Sequence, residues 1–295
     1  MIFEQLTGNL IQGLVLGTVY GMATMGLSLI FGVLKVVNVG HGAFIMVGAF
    51  ATLMLFNALG LNPIFAIPIA FIIGIGLGFI FYYIVIKRLI KAPELATLLA
   101  TFAIGVLLEE LIKLLFGSEF RGYNWVVGKL NLGVTVLPMS KLYACIGSVL
   151  IAVLLYLWFN KTRAGSAMRS VVEDSEGARV CGVNVGGVYA LSFALGIGLT
   201  TASGTLLTMF IPVGINPYMG GGYTLKAFVI AVLGGLSSPY GAFFGGLVFG
   251  LLENGTYTLF ALIHGVEPFA LTRFFSFLML LVILLIRPTG ILSKK

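Results

Sequence analysis

Charge is what this sequence has least of. Only 9% of its 295 residues are Asp, Glu, Lys or Arg, where a water-soluble globular chain carries about 25%. With 59% hydrophobic residues and a mean hydropathy of +1.11, there is too little polar surface to solvate a chain of this length. A freely soluble fold is excluded. Cysteine is nearly missing as well. Cys145 lies in an apolar stretch and Cys181 in a polar loop, and two cysteines exclude a disulfide framework. There are only two histidines and no H-E-x-x-H pair, no Ser/His/Asp grouping and no G-x-x-x-x-G-K-[ST] phosphate loop. No enzyme and no nucleotide or metal cofactor bound by this chain is therefore expected. No basic residue precedes Lys35, so the pattern of a cleavable leader is missing. The net charge of +7 does not point to nucleic acid, because the basic residues sit in short connecting loops.

What is present is a succession of apolar stretches, each long enough to approach the roughly 20 residues that cross a bilayer. They cover residues 6–31, 43–59, 63–86, 95–116, 141–159, 188–211, 242–263 and 269–286, with a shorter piece at 225–236. The expected fold is an all-α integral membrane protein of about eight transmembrane helices plus one short or broken membrane segment. It forms a single transmembrane domain over 1–295, with no room for a soluble domain. Residues 117–138 alternate like a small hairpin. Glycine is abundant, at 40 residues. Gly13, Gly17 and Gly21 are spaced by four, as are Gly74 and Gly78, Gly241 and Gly245, and Gly246 and Gly250. Such stripes permit close helix contact in lipid.

Basic residues cluster at Lys35, at Lys87, Arg88 and Lys91, at Lys161, Arg163, Arg169 and Arg179, and at Arg287, Lys294 and Lys295. The alternate loops hold only Arg121, Lys129, Lys141 and Arg273. The first set is expected to be cytoplasmic, which puts the N-terminus outside. The C-terminus is inside if the piece at 225–236 crosses, as this pattern favours over re-entry.

Two interruptions stand out. The first is Asn38-Val39-Gly40-His41-Gly42, which is open to two readings: a cytoplasmic turn, or a discontinuous helix lining a cavity at membrane depth. The second spans 214–235 and holds Asn216-Pro217, the run Gly220-Gly221-Gly222, Lys226 and Gly234-Gly235. One interrupted segment in each half of the chain matches a transporter built from related halves. Lys226 either snorkels to the outer surface or serves the pathway, since a buried lysine costs on the order of 3 kcal/mol unless it pairs or reaches water. Glu253 has no obvious local partner and must face protein or water, most simply through a hydrogen bond between helices. Glu109 and Glu110 are placed to pair with Lys113 along one helix, a structural arrangement rather than a proton relay.

The charged loop at 160–187 mixes charges with small apolar residues. Ala167, Val171, Ala178 and Val180 are expected on one face of a short surface helix. So long a mixed pattern fits a docking element for a cytoplasmic partner better than a plain connector.

Together these motifs resemble the branched-chain amino acid ABC transporter permeases of the LivH type. The resemblance covers nearly the whole chain. It is strongest from Phe31-Gly32 through Gly42, from Arg163-Ala164-Gly165 through Glu173-Asp174 and Gly182-Val183-Asn184, at Ile215-Asn216-Pro217-Tyr218, from Lys226-Ala227-Phe228 through Gly234-Gly235, and at Pro288-Thr289-Gly290-Ile291-Leu292. It implies a permease of the prokaryotic inner membrane that moves amino acids by alternating access. Urea and short-amide permeases share the architecture, and a stand-alone secondary transporter is the competing class. It also implies partners: a second related permease or a second copy of this chain, two ATPase subunits that hold ATP-Mg, and an extracytoplasmic binding protein. Coupling to the ATPases would fall on Arg163, Gly165, Arg169, Glu173, Asp174, Ala178, Gly182 and Asn184. The translocation path would fall on Asn38, Gly40, His41, Gly42, Asn216, Pro217, Gly222, Lys226, Gly234, Gly235 and Glu253.

Overall fold

Small residues decide how closely these helices approach, because lipid offers no hydrophobic drive between them. The computed structural model describes residues 2–133, 135–211, 214–261 and 267–286. The first helix, α1 (Ile2–Leu34), lies at the centre. Of its most apolar window 83% is buried, compared with 72% for α9 (Val185–Thr208) and only 17% for α6 (Met139–Lys161). The glycine stripes read from the sequence meet here: α1 packs antiparallel to α11 (Pro239–Ala261). A Cβ on Gly13 would stand 2.5 Å from the Gly250 carbonyl oxygen, and one on Gly246 would stand 2.2 Å from the Gly21 nitrogen.

Around this centre run α2 (His41–Leu59) and α3 (Pro63–Phe81), which continues through a π turn at Tyr82–Ile86 into α4 (Lys87–Leu89). Asn62 starts α3 by accepting the Ile64 N–H at 3.0 Å, with Pro63 at the first helical position. Then come α5 (Glu94–Phe116) and the hairpin β1 (Lys129–Asn131) and β2 (Val136–Pro138), in antiparallel register with Leu130 opposite Leu137. The hairpin loop is tied down on one side of the molecule. Arg121 and Ile215 exchange backbone hydrogen bonds at 2.7 and 3.1 Å, and the buried Tyr123 hydroxyl lies 2.7 Å from Thr208 Oγ1. Burial pushes the Tyr123 phenol up to about 12.

After α6 come α7 (Arg163–Glu173) and α8 (Ser175–Val180), then α9, α10 (Met219–Gly234), α11 and α12 (Pro268–Ile286). Six helices are long and apolar enough to cross a membrane: α1, α2, α3 with its extension, α5, α6 and α9. The pair α10 and α11 passes that test only together, bent by 111°, which gives up to seven spans among the described residues. The exact count of eight is not confirmed among the described residues. Glu253, Asn254 and five glycines dilute the apolar character of α11, so the stretch expected as an independent span at 242–263 joins α10 in a broken pair. Within α12 the apolar helix runs over Ala270–Met279. The motif at 288–292, residues Arg287, Lys294 and Lys295, and the Arg273 side chain lie outside the described residues, as does the side on which the chain ends.

Candidate functional site

The first interruption begins where Lys35 takes a left-handed backbone conformation (φ 58°), with its N–H still bonded to the Phe31 carbonyl at 2.9 Å. This closes α1 as an αL cap. Lys35 itself is exposed, but the residues after it turn inward: Asn38 is 1% exposed and His41 0%. A solvated turn does not form. The break packs against interior positions of three helices, and hydroxyl side chains from two of them take up its freed backbone groups. Thr101 Oγ1 on α5 accepts the Val39 N–H at 3.1 Å and donates to the Val37 carbonyl at 3.1 Å. Thr224 Oγ1 on α10 accepts the Gly42 N–H at 2.8 Å. His41 Nδ1 lies 3.4 Å from Thr200 Oγ1 on α9. Asn38 Nδ2 and His41 Nε2 are buried without a hydrogen-bond partner among the described residues.

The second interruption differs from expectation in its boundaries. Gly220, Gly221 and Gly222 do not break the chain but form the first turn of α10. Gly220 packs against the first break: a Cβ on Gly42 would stand 1.8 Å from the Gly220 carbonyl oxygen, and one on Gly220 would stand 3.0 Å from the Gly42 carbonyl carbon. The two interrupted regions therefore touch. At 16 residues α10 rises about 24 Å, short of the ~30 Å hydrocarbon core, and it ends where Gly235 (φ 97°) turns the chain toward α11.

Lys226 lies midway along α10 and does not snorkel. Its Nζ is 2.6 Å from Glu253 Oε1 and 2.8 Å from the Tyr20 hydroxyl. It also stands over the Tyr20 and Tyr223 rings, 4.8 and 5.8 Å from their centroids. The partner that the sequence did not supply for Glu253 is thus Lys226. Lys226, Glu253 and Tyr223 form part of the wall of a cavity of about 500 Å³ that also includes Asn216 and Gly222. A second cavity of about 320 Å³ lies beside it, with Gly40, Pro217 and Glu109 in its wall. Asn38, His41, Gly42, Gly234 and Gly235 line neither of these cavities. His41 faces Thr200 on α9, and Gly234 closes the bend against the Gly241 carbonyl, 2.1 Å from its would-be Cβ. Lys113 pairs along α5 as expected, 3.6 Å from Glu109 and 2.5 Å from Glu110. It also lies 4.8 Å from the Tyr218 ring centroid, linking α5 to the start of α10.

The charged loop is two capped helices. Thr162 accepts the Gly165 N–H at 3.0 Å to start α7, and Asp174 accepts the Glu176 N–H at 2.9 Å to start α8. Asn184 accepts the Gly187 N–H at 3.0 Å to start α9. Gly182 (φ 85°) supplies the left-handed turn between the last two. The inward face is Gly165, Met168, Val171 and Ala178. Val180, expected on that face, is instead 89% exposed, because it follows the buried Ala178 by two residues in the same helix, about 200° around the axis. Arg163, Arg169, Glu173, Asp174, Gly182 and Asn184 are exposed. Arg169 donates to the Phe159 carbonyl at the end of α6 and stacks on the Phe159 ring, 5.6 Å from its centroid. A groove of about 310 Å³ separates Arg169 and Glu173 from Ser238 and Tyr240 at the α10–α11 bend.

Sequence reading missed Tyr20, Thr101, Thr200 and Thr224. Each is a hydroxyl whose partner lies on another helix, and no spacing marks it. Among the described residues, no group of three or more His, Cys, Asp or Glu is placed to hold a metal ion.

This arrangement of apolar spans, a buried break and a charged cavity is that of a multi-pass helical membrane permease. The family model described as branched-chain amino acid transport system / permease component matches residues 9–284, and the chain belongs to that family. It is 30% identical to the high-affinity branched-chain amino acid transport system permease protein LivH of Salmonella typhimurium, over 97% of this chain and 95% of that protein. LivH of Escherichia coli matches at the same identity and coverage. The probable branched-chain amino acid transport permease protein LivH of Methanocaldococcus jannaschii is 26% identical, over 92% of this chain and 87% of its own. Among solved structures, PsaBC from Streptococcus pneumoniae in complex with Fab matches with a TM-score of 0.50 at 19% identity, covering 96% of this chain and 92% of that one. That likeness concerns the fold alone.

Proposed function

We propose that the chain is the membrane permease of an ATP-driven importer of branched-chain or other small amino acids. It would work beside a second permease (a relative or another copy of itself), two ATPase subunits and an extracytoplasmic binding protein. ATP-Mg is held and hydrolysed on the ATPase chains, and this chain performs no covalent chemistry. The whole of 1–295 acts as one transmembrane domain. Its N-terminus lies outside, and residues 160–187 and the C-terminus lie in the cytoplasm.

The observation that carries the reading is the α7–α8 pair. It presents Arg163, Arg169, Glu173, Asp174 and Asn184 outward while its apolar face holds to the bundle. It is fastened to α6 through Arg169 and faces the α10–α11 bend across a groove. Displacement of this pair by a nucleotide-bound ATPase dimer would pass through the end of α6, where Asn160 and Phe159 touch Tyr240 at the bend, to α10. There Asn216, Pro217, Gly222, Lys226 and Glu253, with Gly40 and Gly42 opposite, form the path. Asn38 and His41 hold the break in place, and Gly234 and Gly235 let α10 tilt. Each access state is favoured only by its own contacts with the ATPases.

Purification from native membranes followed by mass spectrometry tests this. ATPase subunits are expected to co-purify with the wild-type chain and to be lost from the Arg169→Glu/Glu173→Lys variant. Retention of the ATPases by that variant would remove the docking role from this loop.

A further inference from the structure

The ion pair in the larger cavity is incompletely satisfied on both sides. An ammonium has three donors, and Lys226 uses two of them, on Glu253 Oε1 at 2.6 Å and Tyr20 Oη at 2.8 Å. Glu253 Oε2 is buried without a hydrogen-bond partner among the described residues. No other charged side chain is among the residues of this cavity wall, which otherwise includes Ile211, Met219, Val229 and Phe249. Its volume of about 500 Å³ falls in the range of small-molecule sites. A buried ion pair is a poor device for stability alone, since packed apolar residues often serve as well.

We propose that Lys226 and Glu253 form a binding site for the charged end of a zwitterionic amino acid. The pair opens, Lys226 takes the substrate carboxylate, Glu253 takes its ammonium, and an aliphatic side chain lies against Ile211, Met219, Val229 and Phe249. The proposal rests on the importer reading above and adds where, and by what chemistry, the permease itself recognises its cargo. The exchange is neutral throughout. One internal pair becomes two pairs with the ligand, and no unpaired charge is left in the membrane. While the pair is open, the Tyr20 hydroxyl and the faces of Tyr20 and Tyr223 remain beside the lysine ammonium. A ligand with one charge cannot do this. It leaves either Lys226 or Glu253 without its counter-charge.

The test uses the full chain, purified with its co-purifying partners, in lipid nanodiscs. Protection against thermal unfolding is measured with L-leucine, with leucinamide (no carboxylate) and with 4-methylpentanoate (no amine). L-leucine is expected to protect, and each analogue to need at least about tenfold more, the size of one lost charge-assisted hydrogen bond. The Lys226→Met/Glu253→Gln variant removes both charges and leaves no orphan, so it is expected to lose protection by L-leucine. Equal protection by either analogue, no protection by L-leucine, or full protection of the double variant overturns the proposal. If the double variant does not fold, the wild-type comparison of the three ligands decides alone. ATP-driven L-leucine uptake by the wild-type assembly is measured in parallel. Its absence sinks the importer reading, whereas uptake that the double variant leaves unchanged sinks this site only.

Discussion

At Gly42 the chain has space for a hydrogen atom and little else. A Cβ there would stand 1.8 Å from the Gly220 carbonyl oxygen and 2.6 Å from Thr224 Oγ1, the oxygen that accepts the Gly42 N–H. Gly42→Ala is therefore expected to push α2 away from α10 and to destabilise the fold by about 1–3 kcal/mol. Thermal unfolding in detergent measures it, and an unchanged midpoint would mean the two interrupted segments are not in contact. At this scale the sequence was partly legible. Lys226 and Glu253 are readable as charges that must find partners, because their cost in a membrane is large wherever they sit. That they find each other is not readable. They lie on different helices, 27 positions apart, and the third member, Tyr20, is 206 positions from Lys226. Spacing along a chain carries no information about such pairs until the bend between α10 and α11 is known.

Among elements, α8 is the most dependent on its ends. It has six residues, too few to persist without tertiary support. Asp174 starts it and Gly182 turns the chain after it. Asp174→Ala is expected to cost about 1 kcal/mol and to raise amide hydrogen exchange across residues 175–180 while leaving α9 protected. Unaltered exchange there would show that contact with the bundle alone holds α8. The caps are present in the sequence, but the loop forms two helices rather than the one expected, and Val180 cannot share a face with Ala178 two residues before it. The misreading at α10 has a different cause. Three successive glycines predict a breaker by propensity, yet all three lie in the first turn of α10, with Gly220 packed on the Gly42 backbone. Tertiary contact overrides propensity there.

For the whole molecule, the glycine stripes were the most informative signal. Those of α1 and α11 meet, and within the stretch 117–138 expected to alternate as a hairpin, the strands cover only Lys129–Asn131 and Val136–Pro138. The number of spans was less legible, because the boundary at 242–263 hides how far Glu253, Asn254 and the glycines dilute α11, and the 111° bend to α10 is not readable along the chain. Orientation has a direct check in the native cysteines. Cys181 is exposed at the end of α8, whereas Cys145 is part-buried in α6. A membrane-impermeant maleimide is expected to label Cys181 in inside-out vesicles and not in right-side-out ones, and the reverse pattern would invert the topology.

The central claim is that this chain moves its cargo only when coupled to ATPases. Uptake of radiolabelled L-leucine into proteoliposomes tests it, comparing the purified chain alone with the co-purified assembly and binding protein, with and without ATP. Uptake by the assembly that requires ATP, and none by the chain alone, is the predicted result. Equal ATP-independent uptake by the chain alone would contradict the account and make this protein a stand-alone transporter.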